Sequence, residues 1–405
     1  METSTYESKL SVERIWIAIL VILGHLGVGL NVFSVSPILL EIINDLDVSH
    51  GSAGLLISLP PLAAAVFGIP GGLVAVKLGQ FRAFALGLLL MGAVSLSFIL
   101  SDFISLLTLR LLYGVGAALI LTVVGPILIQ WFNSKQLLIV NSLNAAMMTI
   151  GIGISVSLGA KVSDYIGWQL SLSVLGVIPL LTLLIWIWKG NSQSSLDPDQ
   201  RLPKPSEIIS LIKRKAILLL LAADAGVMFQ YTALSGWLPT VYTQDHGMNV
   251  QIAGLSASFL PLAGIIGVFL GGFLPLKLGS ARTYLLIAGI LVVIGGPATY
   301  LVENQLLISI SLAIVGIGSW LYLPTLLSET MRAALFIKKD VAIVWGVMLT
   351  FTGGGMFISP VLVGYIHDIS GSFTTGLIMC SVPASLLVLA GLLSSPTKNS
   401  NSTTI

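Results

Sequence analysis

Three side chains able to titrate or carry charge stand inside otherwise apolar stretches of this sequence, and their spacing limits the chemistry available. Arg110 lies in Leu109-Arg110-Leu111-Leu112-Tyr113-Gly114, Asp224 in Ala222-Ala223-Asp224-Ala225-Gly226, and His25 in Leu23-Gly24-His25-Leu26-Gly27. A buried guanidinium attracts an anion or ties helices together, and a buried carboxyl can bind and release a proton. An imidazole does either task near neutral pH. None of the three sits in a nucleophile elbow, a His-Glu-x-x-His pair or a Gly-Lys phosphate loop, the arrangements that support hydrolysis or nucleotide chemistry. The chemistry on offer is therefore solute binding and proton exchange within a scaffold that keeps water out.

That scaffold is legible in composition. The 405 residues include 19 Lys+Arg and 17 Asp+Glu, so 9% are charged, while 56% are hydrophobic. Soluble domains carry about 25% charge. The mean hydropathy of +1.00 and the clustering of charges between long apolar runs exclude an ordinary soluble enzyme and indicate a polytopic membrane protein. Twelve candidate spans follow, at about 14–40, 49–76, 82–101, 104–131, 136–160, 169–189, 215–242, 250–276, 282–301, 305–332, 341–366 and 374–394. The first is longer than a signal-peptide core and has no small-residue cleavage site, so it is expected to be retained. The net charge of +2 and the scattered basic residues give no nucleic-acid surface, and the single Cys380 excludes a disulfide framework.

The polar stretch between Lys189 and Lys215, rich in Ser, Pro and Asp, divides the spans six and six. It predicts a bundle over 1–189, a cytoplasmic linker over 190–214 and a second bundle over 215–405. Counting Lys and Arg on alternate sides places Lys9, Arg14, Lys77, Arg82, Lys135, Lys189, Arg201, Lys204, Lys213, Arg214, Lys215, Lys277, Arg282, Arg332, Lys338, Lys339 and Lys398 together, against Lys161 alone on the other side. By the positive-inside rule both termini face the cytoplasm. The plasma (inner) membrane is the expected location.

The two halves are copies. Residues 51–90 align with 251–290 without a gap, and Ala53, Gly54, Leu55, Ser58, Pro61, Leu62, Ala63, Gly71, Gly72, Lys77, Leu78, Gly79, Arg82 and Leu86 each recur 200 positions later. Parallel duplicated bundles are the architecture in which a solute site lies between the halves and access alternates.

At this point the chain resembles the major facilitator superfamily. The loop Gly72-Leu-Val-Ala-Val-Lys77-Leu-Gly79-Gln-Phe-Arg82 is similar to that family's signature after the second span, and the Gly272, Lys277, Gly279 and Arg282 loop is its second-half counterpart. Val76 and Leu276 stand where the family usually has an Asp that latches the cytoplasmic gate. The Arg110 to Ala118 run and the segment from Gly353 through Pro360 and Gly364 to Gly371 resemble further family motifs. Span five lacks the Gly-Pro pair of the family's drug antiporters. The lean composition is mildly similar to the cyanate and nitrate/nitrite branches. The resemblance implies an all-α membrane protein of twelve transmembrane helices in two pseudo-symmetric six-helix bundles.

The resulting expectation is a secondary transporter, not an enzyme, moving a small anionic solute by proton-coupled symport or facilitated uptake. The alternative is a proton-driven exporter of lipophilic compounds. Arg110, Tyr113, Asn31, Asn141, Asn144, Tyr231, Trp320 and Tyr322 are the candidate solute contacts, with Asp224 and His25 as proton carriers. Arg110 has a second reading, an arginine that snorkels to the outer interface or ties two helices together. Asp224 has a second reading too, a protonated group bonded to a neighbouring helix or a static partner of Arg110. A monomer in the lipid bilayer, with no cofactor and no metal, completes the expectation.

Overall fold

The computed structural model describes residues 2–100, 102–189, 213–273, 280–334 and 341–394, and throughout these the regular structure is helical. The first bundle comprises α1 (Glu2–Val32), α2 (Leu39–Leu46), α3 (His50–Leu78), α4 (Gln80–Gly92), α5 (Phe103–Trp131), α6 (Ser134–Ile166) and α7 (Trp168–Lys189). The second comprises α8 (Lys215–Gln244), α9 (Val250–Ala257), α10 (Phe259–Phe273), α11 (Ala281–Leu301), α12 (Gln305–Leu321), α13 (Leu323–Ala334), α14 (Val341–Ser370), α15 (Phe373–Ser381) and α16 (Ser385–Leu393). Twelve helical stretches among the described residues are long and apolar enough to cross a membrane. The expected linker at 190–214 lies outside the described residues except for Lys213 and Arg214.

Local sequence explains where the helices start and stop. Ser49 and Asp102 cap α3 and α5 by accepting from the backbone N–H of Ser52 and Ser105, and Asn133 with Gln136 forms a reciprocal capping box on α6. The turns from α3 to α4 and from α6 to α7 are single residues, Gly79 and Gly167, at φ +80° and +78°, a backbone region that favours glycine. The first expected span is not continuous. α1 ends at Val32, and a 3₁₀ turn at Ser36–Ile38 precedes α2. Pro37 has no N–H to give the helix ladder and disfavours helical backbone at the residue before it. The Ser34 hydroxyl also donates to the carbonyl of Asn31 at 3.0 Å.

The duplicated segment supplies the contact between bundles. A Cβ on Gly54 of α3 would lie 2.6 Å from the carbonyl oxygen of Pro360 on α14, and one on Gly254 of α9 would lie 2.8 Å from that of Val156 on α6. The same glycine, repeated 200 residues apart, therefore lets each bundle's backbone press against the other's. Around these contacts Ser36 Oγ reaches the carbonyls of Ser235 and Gly236 at 2.6 and 2.7 Å, and Phe33 meets Tyr231 edge-on at 6.3 Å. Gln251 Nε2 donates to Asp164, and Asp368 accepts from the backbone N–H groups of His50 and Gly51 at 3.0 and 2.8 Å. These cross-bundle contacts gather toward the ends of the helices away from Lys77, Arg82, Lys189 and Lys215. One face is closed.

Bulk at the repeated glycines should prevent that closure. Gly54→Val and Gly254→Val are each expected to destabilise the closed arrangement by about 1–3 kcal/mol through overpacking. Ile57 is fully buried here, and Cys380 is buried as well, so the native thiol contributes little background. An Ile57→Cys variant should react with a water-soluble maleimide several times faster when Gly54→Val is added; equal rates would contradict the packing argument.

Candidate functional site

Arg110 sits on α5, two turns from its Asp102 cap, and is 1% exposed. Its Nε donates to the carbonyl of Leu56 at 2.7 Å, Nη1 to the carbonyl of Asn31 at 2.5 Å and to Ser34 Oγ at 3.4 Å, and Nη2 to the carbonyl of Val32 at 2.7 Å. Each of these acceptors has a reason to need a donor. Pro60 in α3 lacks the N–H that would serve Leu56. Asn31 and Val32 lie at the C-terminal end of α1, where carbonyls lose their helical partners and the helix dipole favours a cation. The Tyr113 ring lies 5.3 Å from the guanidinium, and its hydroxyl donates to the carbonyl of Val28 at 2.6 Å. This geometry corresponds to the helix-tying reading of Arg110, with α1, α3 and α5 joined at one guanidinium.

Asp224 is on the other bundle, nine residues after the start of α8, roughly 14 Å along the helix, and is 3% exposed. Two close backbone approaches fix its position: Gly355 of α14 abuts the carbonyl of Ala225, and Gly226 abuts that of Pro383. The Tyr322 hydroxyl donates to Asp224 Oδ1 at 2.7 Å, and Thr352 Oγ1 contacts Oδ2. Thr352 Oγ1 also lies 2.8 Å from the carbonyl of Met348. A hydroxyl has one proton, so it cannot donate to both. If the carboxyl is ionised, Tyr322 and Thr352 both donate to it. If it is protonated, its own O–H donates to Thr352, whose proton turns to Met348. The pocket thus offers hydrogen bonds to either protonation state. Asp224 and Arg110 have separate partners, which excludes a direct ion pair between them in this arrangement.

The remaining expected residues fall into groups. His25 is buried on α1, with Nδ1 3.1 Å from the carbonyl of Val21. Asn144 of α6 is 3% exposed, and neither amide atom has a hydrogen-bond partner among the described residues. Gly29 and Met148 touch one turn further along these two helices, so His25 and Asn144 lie at matching levels. Asn141 is exposed. Asn31 is taken up by the α1 break, its amide donating to the carbonyls of Gly27 and Leu175 at 3.1 and 3.3 Å. On the second bundle Tyr231 packs edge-on against Trp320 at 5.8 Å. Its hydroxyl lies beside Trp320 and Ser235 without good hydrogen-bond geometry to either. The Tyr322 hydroxyl serves Asp224.

Of the paired loop motifs, Lys77 and Arg82 are exposed, no atom approaches Gly272, and the surroundings of Gly72 lie outside the described residues. Lys277 and Gly279 lie outside the described residues, while Arg282 is half-buried near the start of α11. Sequence reasoning missed Thr352, since a threonine in an apolar helix commonly bonds only its own i−4 carbonyl. Pro60 together with an intramembrane arginine was the one available signal for the clamp.

Twelve membrane-crossing stretches, two pseudo-symmetric bundles and buried polar groups between helices define a multi-pass helical transporter. The sequence profile of the Major Facilitator Superfamily matches residues 21–334, and the chain belongs to that superfamily. An uncharacterised protein of Campylobacter jejuni is 30% identical over 281 residues, covering 68% of this chain and 86% of its own. The hexuronate transporter of Bacillus subtilis is 24% identical over 373 residues, 85% of this chain and 87% of that one. In fold, the chain is similar to the solved nucleoside transporter NupG, with a TM-score of 0.77 at 13% identity over 94% of this chain and 99% of that one. The family makes this protein a transporter and not an enzyme.

If Arg110 is a clamp, its loss is a stability defect before it is a binding defect. Arg110→Met leaves the carbonyls of Leu56 and Val32 without their donor, at about 1–3 kcal/mol each, while the Asn31 carbonyl keeps the Ser34 hydroxyl. The substitution should lower the melting temperature of detergent-purified protein by several degrees with no solute present. Arg110→Lys should recover only part of this, because one ammonium cannot reproduce the guanidinium fork. A wild-type melting temperature for Arg110→Met would remove the clamp and return Arg110 to the list of anion contacts.

Proposed function

We propose that this protein takes up a small anionic solute by alternating access and couples the movement to a proton carried by Asp224. The observation that carries this reading is the Asp224, Tyr322 and Thr352 cluster. A buried carboxyl that keeps its hydrogen bonds whether ionised or protonated can exchange a proton without leaving an orphaned polar group in either state. A fixed structural aspartate has no need of that provision.

The basic face lies in the cytoplasm on this reading, with both termini and the linker between 190 and 214 beside it. The closed face is then extracellular and the arrangement inward-facing. His25 and Asn144 from the first bundle, with Tyr231 and Trp320 from the second, are the groups we assign to solute recognition. Asn144 supports this assignment because a buried amide without partners is costly unless a ligand or water satisfies it. Imidazole, amide, phenol and indole together suit an acid that also bears hydroxyl groups. The similarity to a transporter named for hexuronates supports the same solute class. Arg110 acts indirectly, by holding the broken end of α1 against α3 and α5.

Uptake into proteoliposomes supplied with glucuronate or galacturonate, with and without an inward proton gradient, tests the coupling. Wild type should concentrate the solute only with the gradient. Asp224→Asn should abolish concentration while retaining solute-for-solute exchange, and Thr352→Val should weaken the dependence on the gradient. Undiminished accumulation by Asp224→Asn would rule out the proton role.

A further inference from the structure

At the closed face, three side chains that the proposed transport chemistry does not use converge from both bundles. His50 is the first residue of α3, and His367 and Asp368 stand near the end of α14. His50 Nδ1 is 3.1 Å from Asp368 Oδ1, and the two imidazole rings are 4.1 Å apart, tilted by 48°. One donor atom from each of the three residues lies within 4.8 Å of the other two. His50 Nε2 and His367 Nδ1 are both buried atoms with no hydrogen-bond partner among the described residues. Phe373 stacks on the His367 ring at 4.0 Å, and Trp237 lies 6.0 Å from that of His50, so the cluster has apolar walls. The His50 and Asp368 side chains remain 19% and 26% exposed, leaving a route in from solvent.

We propose that His50, His367 and Asp368 form a binding site for a divalent transition-metal ion, which bridges the two bundles and holds this face closed. Two imidazole nitrogens and one carboxylate oxygen make a donor set suited to zinc or nickel rather than to calcium or magnesium, which prefer oxygen. Small side-chain rotations bring such atoms to metal bonds of about 2.1 Å. Water completes the coordination from the exposed side. The imidazole atoms that lack partners in this structure become ligands, which accounts for two buried nitrogens otherwise left unsatisfied. Because the bundles divide the donor set, any motion that separates α3 from α14 dismantles the site. The ion therefore binds the closed state more tightly and shifts the population toward it. The sequence expectation of no metal did not foresee this cluster, in which His50 lies more than 300 positions from His367 and Asp368.

Titration calorimetry of the full chain, freed of any affinity tag, with zinc chloride or nickel chloride provides the test, with calcium chloride as comparison. One zinc per chain is expected, weakened at least tenfold by His50→Ala or His367→Ala and unchanged by His246→Ala. Calcium should give no saturable heat. His367→Gln replaces the alanine variant if that variant does not fold, as judged by its melting curve. Spin labels introduced through Tyr165→Cys and Leu301→Cys, one on each bundle at this face, should show zinc enriching the short distance in otherwise unaltered protein but not in His367→Ala. No saturable zinc binding, binding that survives the His50→Ala, His367→Ala double variant, or binding without a change in the distance distribution would overturn the proposal. Each readout is independent of solute uptake, so failure here is distinct from failure of the proton coupling.

Discussion

A membrane interior offers no water to a backbone carbonyl, so each break in a spanning helix must find its donor within the protein. Arg110 meets that demand at the point where the first bundle is least regular. α1 stops at Val32, and Pro60 interrupts the ladder of α3. One guanidinium then donates to carbonyls from both helices. The penalty for placing a cation among apolar helices, about 2.5–3.5 kcal/mol on insertion scales, is offset because the carbonyls of Leu56 and Val32 would otherwise be orphaned. With the end of α1 fixed, Phe33, Ser36 and Pro37 are presented to the second bundle, and closure of one face becomes possible.

Closure itself is a matter of backbone proximity. Gly54 and Gly254 are equivalent positions of the duplicated segment, and each faces a carbonyl of the opposite bundle. At the outer margin Asp368 and Asp164 perform related tasks, since each is an acidic group near the end of a spanning helix that accepts from the first residues of a helix in the other bundle. Few charges are involved, and the bulk of the interface is small-residue contact. The polar contacts at the rim depend on that proximity, so parting the glycines would cost them their geometry together.

Asp224 occupies a different position in this scheme. Its two hydrogen-bond partners come from α14 and from the residue following α12, both in its own bundle. Asp224 contacts Thr352, next to Gly353, and Gly353 touches Ala65 of the other bundle. The carboxyl is thus one residue removed from the contact between bundles, a short physical path from polar site to packing.

The sequence by itself determined the class. Scarce charge, twelve apolar runs, asymmetric Lys and Arg placement and a 200-residue repeat follow from the bilayer's demands on composition and from duplication, and both act on the chain locally. It also singled out Arg110, Asp224 and His25, because ionisable groups are rare at that depth. Tertiary structure alone decided what those groups touch. Arg110 meets carbonyls freed by a helix end and a proline on other helices, while Asp224 meets a threonine 128 positions away. His50 reaches His367 and Asp368 only because α3 and α14 press together. Partners of this kind depend on which helix faces which, and helix facing is set by close packing among many residues, so no local pattern in the chain carries it.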